Sequence, residues 1–242
     1  MSNSKLVSYT RISPNRTSPR NHKIDTITIH CVVGQVTVGT LGSIFANPNR
    51  KASSNYGIGK DGRIGLYVEE KDRSWCSSNS ANDNRAITIE VASDTFHPYK
   101  VTDKAFNSLI DLLEDICRRN DIKELKWCGD KSLIGQVDKQ NMTVHRWFAN
   151  KSCPGDYLYG LHGEIVRLVN ARLKGNTVSN SFKVKVTVTD LNIRKTPSMS
   201  GEVVGQTGKG VFTIVDVQNG WGKLKSGLGW IYIDNPKYCT KL

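Results

Sequence analysis

The segment with the clearest chemical potential is residues 141–155, where seven residues separate His145 from Cys153 and Lys151 lies between them. A neutral imidazole and a thiolate are both good zinc ligands, and a thiolate binds zinc at about 2.3 Å. The Pro-Gly pair directly after the cysteine predicts a tight turn, which would direct the sulfur back toward the histidine.

A third candidate ligand, His30, lies far upstream at the end of the apolar run 27–30. Together with His145 and Cys153 it would supply three protein ligands and leave one position open for water. That pattern is typical of a catalytic rather than a structural zinc site. On spacing alone the site is a hypothesis, because most histidines in proteins lie at the surface or in satisfied core positions.

Five stretches resemble, in the same order, motifs of type-2 N-acetylmuramoyl-L-alanine amidases of the peptidoglycan-recognition-protein superfamily, which includes many phage endolysins. The five stretches are residues 27–30, 52–62, 74–76, 86–91 and 145–155. The resemblance implies a hydrolase that cleaves the amide bond between N-acetylmuramic acid and L-alanine in bacterial peptidoglycan. It also implies one Zn²⁺ per chain, held by His30, His145 and Cys153.

Two further residues gain catalytic roles from the resemblance. Glu90 alternates with Ile87 and Ile89, so it belongs to the opposite face of a strand, and it matches the catalytic glutamate of the family. Some members use a tyrosine instead, and its absence near Ser54 favours Glu90 as the base. Lys151 matches the conserved cation that would stabilise the carbonyl oxygen. An exposed strand glutamate and a solvated loop lysine are the plainer alternatives.

Two positions depart from the family pattern. Asn55 stands where the hairpin motif usually has a histidine, and Cys76 stands where many members have a histidine after the tryptophan. We expect these departures to alter substrate contacts rather than the metal site. Asn55 and Trp75 are therefore predicted to bind substrate, and Cys76 is an alternative metal ligand. His162 lies inside a helical pattern, outside every motif, and is expected to be structural.

The first part of the chain alternates strand and helix patterns, which predicts an α/β domain with a mixed β-sheet flanked by helices. The predicted strands are 24–33, 56–60, 63–68 and 86–91, with a hairpin turn at Asp61-Gly62. A helix is predicted at 38–47, and Thr102 and Asp156 are predicted to cap two more.

The composition changes after residue 173. Residues 174–182 form a polar predicted linker, and residues 183–242 contain only short alternating runs, which predict a small all-β barrel. Residues 191–198, 220–224 and 229–231 resemble bacterial SH3-like domains. The predicted organisation is thus a catalytic domain at 1–173, the linker, and a cell-wall-binding SH3-like domain at 183–242. Arg194, Trp221 and Trp230 would contact the wall, with core packing an equal alternative for the two tryptophans.

The net charge of +12 predicts attraction to polyanions, and anionic wall polymers are candidate partners beside peptidoglycan. Nucleic acid is disfavoured, because the basic residues are scattered and form no nucleic-acid-binding motif. No apolar stretch has the length of a transmembrane segment, and residues 1–17 lack the apolar core of a signal peptide. We therefore expect synthesis in the bacterial cytoplasm, action on the cell wall and, by the resemblance, holin-type release.

A non-catalytic peptidoglycan-binding protein is the main alternative to the enzyme. Members of the superfamily without catalysis typically lose the cysteine ligand, and this chain keeps Cys153. The resemblance therefore favours the amidase.

Overall fold

The computed structural model describes residues 2–175, 181–218 and 220–242. The chain divides into two compact units, Met1–Asn176 and Thr177–Leu242. Of the predicted linker 174–182, residues 176–180 lie outside the described residues. Among the described residues, none of the helices combines the length and the apolar character that a membrane span requires.

The described residues of the first unit, 2–175, form eight strands. They are β1 (Tyr9–Thr10), β2 (Arg16–Thr17), β3 (Thr26–Val33), β4 (Tyr56–Ile58), β5 (Ile64–Leu66), β6 (Arg73–Ser74), β7 (Ala86–Ser93) and β8 (Met142–Val144). Six of them form a sheet in the order β1-β5-β4-β7-β3-β8, and β2 pairs with β6. The β4–β5 hairpin is antiparallel, whereas β3 pairs in parallel with both β7 and β8. The predicted mixed sheet is confirmed.

The central strands β3 and β7 form the longest pairing of the sheet, because each is a run of eight residues rich in isoleucine, valine and threonine. Both faces of this pair are largely buried, which is typical of parallel strands covered by helices. The register sets His30 opposite Glu90. Two predicted site residues therefore become neighbours through backbone pairing alone.

Four α-helices lie in the part of this unit that the structure describes. They are α1 (Val38–Ala46), α2 (Ser80–Arg85), α3 (Asp103–Arg119) and α4 (Gly155–Leu173). Thr102 caps α3 as predicted, since its side chain accepts a hydrogen bond from the backbone N–H of Ala105. The helix then buries an apolar stripe that includes Leu109, Leu113 and Ile116.

The predicted cap of α4 is wrong. The helix begins at Gly155 with no side-chain cap, and Asp156 lies in its first turn. The turn after Cys153 forms as predicted, with the N–H of Gly155 donating to the carbonyl of Ser152 at 2.8 Å. It leads straight into the helix, so the N-cap position falls on Pro154, whose side chain makes no capping hydrogen bond. Gly155 has φ +79°, and a Cβ there would lie 2.8 Å from the Cβ of Tyr99.

Within residues 181–218 and 220–242 the second unit forms a seven-stranded sheet, in which every pairing is antiparallel. Its strands are β9 (Phe182–Val186), β10 (Asn192–Arg194), β11 (Val203–Gln206), β12 (Gly210–Gln218), β13 (Trp221–Leu224), β14 (Trp230–Tyr232) and β15 (Cys239–Lys241), in the order β11-β10-β14-β13-β12-β9-β15. Its core includes Val184, Ile193, Ile214 and Ile231. A separate small all-β unit is thus confirmed.

Candidate metal centre

Three predicted ligands converge at one edge of the sheet. His30 lies in the second half of β3, and the parallel pairing of β3 with β8 brings His145, the residue after β8, beside it. Cys153 lies in the turn before α4, and its Sγ is 3.3 Å from Nδ1 of His30. Potential ligand atoms of the three residues all lie within 4.8 Å of one another.

The three side chains fit a zinc ion. Nδ1 of His30 lies 3.3 Å from Cys153 Sγ, close to the separation of two donors on one tetrahedral zinc ion. Burial, and next the nearby His145, hold the pKa of His30 down at about 3. Burial, followed by the charge of Lys151, also lowers the pKa of His145. Both imidazoles are therefore held in the neutral form that a metal ligand requires. Two imidazoles with one thiolate form a donor set suited to zinc, with a fourth position left open.

A carboxyl group lies beside this cluster. Glu90 is opposite His30 in the β3–β7 register, and its Oε2 is buried without a partner among the described residues. Burial raises the pKa of Glu90 to about 7, against a smaller opposing effect of Arg50. Cys76 lies next to it, with Sγ 3.9 Å from Oε1. The structure therefore brings Glu90 to the predicted ligands, as a base beside a metal would require.

The loop that contains Ser78 contacts His145 and orients its ring. The sequence did not predict this contact. The hydroxyl of Ser78 lies 3.2 Å from Nε2 of His145. Ser78 has φ +61°, a left-handed conformation that is unusual for serine. Asp83 holds the loop in place by accepting hydrogen bonds from the N–H of Cys76 at 2.9 Å and from the hydroxyl of Ser77 at 2.6 Å.

Lys151 is exposed at the rim of the cluster, near enough for its charge to act on His145. It lines one open pocket with His97, Tyr99, Arg146, Ser152 and Asp156. Within this pocket Asp156 accepts hydrogen bonds from Arg146 at 3.0 Å and pairs with His97 at 2.9 Å. His97, which matched no motif, is thus a neighbour of a predicted catalytic residue.

The substrate contact predicted for Asn55 is wrong. Asn55 is 0% exposed, and its Oδ1 accepts a hydrogen bond from the N–H of Thr88 at 3.2 Å. Its Nδ2 donates to the carbonyl of Val68 at 3.2 Å. Asn55, at the position where the family motif usually has a histidine, therefore links β7 to the residues that follow β5. Trp75 is partly exposed, and its indole N–H donates to Thr17 Oγ1 at 3.0 Å.

In the second unit, Trp221 and Trp230 are only 5% and 7% exposed. This placement favours packing within the sheet over the predicted wall contact. Arg194 is half-buried and donates to the carbonyl of Gly201 at 2.7 Å, so part of its donor capacity supports the fold.

A mixed sheet with flanking helices, a His–His–Cys donor group and a buried carboxyl group define an α/β protein with a candidate metal site. Residues 20–156 match the family model described as N-acetylmuramoyl-L-alanine amidase. The match spans more than half of the chain, so the protein belongs to this amidase family.

Solved structures show a similar fold. A mutant form of PlyL is 14% identical with a TM-score of 0.51, and the alignment covers 67% of this chain and 98% of that one. PlyL itself is 15% identical with a TM-score of 0.50, covering 66% and 95%. The endolysin amidase LysCS of Clostridium intestinale URNW is 19% identical with a TM-score of 0.46, covering 66% and 92%. No curated protein matches the chain.

Proposed function

We propose that this protein is a zinc-dependent N-acetylmuramoyl-L-alanine amidase, which hydrolyses the bond between the lactyl group of N-acetylmuramic acid and L-alanine. The observation that carries the proposal is the convergence of His30, His145 and Cys153 within 4.8 Å. Glu90 lies opposite His30 in the register of the sheet. Membership of the amidase family supports the choice of substrate, and the bacterial cell wall is then the site of action.

In this proposal a zinc ion would be held by His30, His145 and Cys153, and it would supply Lewis acidity that activates water and polarises the scissile carbonyl. Glu90 accepts a proton from the attacking water at its carboxylate and passes it to the departing nitrogen of L-alanine. Its buried position raises its pKa to about 7, which suits a group that both accepts and returns a proton near neutral pH.

Lys151 is proposed to donate a hydrogen bond to the carbonyl oxygen as negative charge develops there. Support comes from its position at the rim, where its ammonium is near His145 and remains exposed. The side chain is long and free to reach a substrate that enters from solvent. Trp75, which is partly exposed, remains a proposed substrate contact.

The second unit is proposed to be an SH3-like domain that holds the enzyme on the wall. Residues 183–242 contain nine basic and four acidic residues, a net charge of +5 (9 − 4), which favours contact with anionic wall polymers. Since Trp221 and Trp230 are buried, the exposed basic side chains are the better candidates for this contact.

The test is a digest of purified bacterial walls, in which new amines are compared with new reducing sugars. The amidase should release peptides with N-terminal alanine and no new reducing ends. Removal of metal with a chelator should stop the release, and added zinc should restore it. Binding to walls with no release of either product would instead establish the non-catalytic alternative.

A further inference from the structure

Cys76 belongs to a second group of potential metal ligands. The sequence predicts Cys76 as an alternative metal ligand, and the structure groups it with His30 and Glu90, with the ligand atoms of all three within 4.8 Å of one another. His30 is therefore common to both groups. A histidine can bind one cation at each ring nitrogen only as an imidazolate, after its N–H proton has left.

Buried polar atoms in this second group lack partners. Oε2 of Glu90 and Nε2 of His30 are both inaccessible and have no hydrogen bond to any described residue. A buried polar atom without a partner loses the hydrogen bonds that water would give it, which destabilises the metal-free form. The contact of Cys76 Sγ with Glu90 Oε1, at 3.9 Å, is too long to satisfy the carboxyl group well. A cation between these side chains would give the free atoms a partner.

The spacing of the two groups indicates an order of affinity. A sulfur and a nitrogen or oxygen bound to one tetrahedral zinc, at about 2.3 and 2.0 Å, lie about 3.5 Å apart. The first group nearly meets this spacing, with 3.3 Å between Cys153 Sγ and His30 Nδ1. In the second group, Cys76 Sγ and Glu90 Oε1 are 3.9 Å apart and must move closer together to bind one cation. The second group should therefore bind a cation more weakly than the first.

We propose that His30, Cys76 and Glu90 form a second site, which takes a thiophilic divalent cation such as zinc or cadmium and inhibits the enzyme. The inhibition rests on the proposed function, because a cation on Glu90 occupies the carboxylate that would accept the proton of water. When the cation binds beside a zinc ion in the first site, the thiol of Cys76 and the ring N–H of His30 each release a proton to solvent. The thiolate and the carboxylate together balance the charge of the cation.

The test counts metal ions on the full-length protein. Metal-free protein is dialysed against excess zinc, and in a parallel sample against cadmium, and bound metal is measured by elemental analysis. The wild type should bind two equivalents, and Cys76→Ser should bind one. Cys128→Ser is the matched control, since Cys128 is an exposed free thiol, and it should bind two. His145→Ala should retain the equivalent that depends on Cys76.

A wild type that binds only one equivalent in excess metal would overturn the proposal, as would a Cys76→Ser variant that still binds two. Circular dichroism establishes that each variant is folded, and Cys76→Ala provides a second test of the same thiol. In wall digests, excess zinc should lower the rate of the wild type relative to its rate with one equivalent. In Cys76→Ser, the rate in excess zinc should be about the same as the rate with one equivalent. If the wild type binds two equivalents but cleaves no wall, the proposed function fails and the second site stands.

Discussion

A buried histidine in α4 should make the first unit sensitive to acid. His162 is 0% exposed, its Nδ1 donates to the carbonyl of Leu158 at 2.8 Å, and its ring lies 4.3 Å from that of Trp127. Burial lowers its pKa from 6.5 to about 4, and the charge of Arg146 acts in the same direction against two backbone hydrogen bonds. Folding therefore favours the neutral ring.

The sign of the pH effect follows from this shift. Because the folded-state pKa is below the unfolded value, protonation favours the unfolded chain, and stability is lost as the pH falls from 6.5 toward 4. Between pH 7 and pH 4.5 the loss from this one group is about 2–3 kcal/mol. The loss levels off below the folded-state pKa, where both states bind the proton.

Urea unfolding of the wild type and of His162→Asn at both pH values measures this contribution. The shorter amide can still donate to Leu158 but cannot become charged. We expect it to cost some stability at pH 7 through lost packing, yet to lose about 2–3 kcal/mol less than the wild type on acidification. His22→Asn, at a side chain that is 38% exposed, is the control and should behave like the wild type. An equal acid loss in His162→Asn and the wild type would refute the reasoning.

Three further predictions concern the site and the second unit. Glu90→Gln should retain the zinc of the first site and lose about 10²- to 10⁴-fold in rate, and a near-normal rate in wall digests would remove Glu90 from the mechanism. Ser78→Ala should weaken metal binding about 10- to 100-fold, because the hydroxyl orients His145. A competition assay with a chelator measures this loss, Ser80→Ala is the control, and equal affinities would contradict the role. Residues 183–242 should sediment with walls in a salt-sensitive way, while residues 1–173 should still cleave soluble muropeptides but act more slowly on intact walls. Failure of 183–242 to sediment would show that the second unit is not an anchor.

The sequence predicted those features that depend on local patterns. The apolar runs of β3 and β7 and the cap at Thr102 follow from strand composition and capping chemistry, which neighbouring residues determine. The spacing of His145 and Cys153 predicted their approach, because a turn after Cys153 is a local property of the Pro-Gly pair. These local features indicate where the candidate ligands lie without knowledge of any long-range contact.

What the sequence missed depends on contacts between distant residues. Ser78 meets a histidine 67 positions later, and no local pattern marks a serine for that role. Asn55 carried a family motif position, but its buried hydrogen bonds to Thr88 and Val68 depend on the packing of the sheet. Aspartate is a common helix cap, but the carboxylate of Asp156 instead pairs with Arg146 and His97. Tertiary contacts determined each of these outcomes.

The pairing of His30 with Glu90 also determines how the site can be lost. Parallel neighbours in a sheet are about 4.8 Å apart, so the backbone spacing between His30 and Glu90 can change only if β3 and β7 separate. These strands form the buried centre of the first unit, and such strands open only with global unfolding. Their amide protons should therefore be among the slowest to exchange, and on heating His30 and Glu90 should stay paired until the whole unit melts.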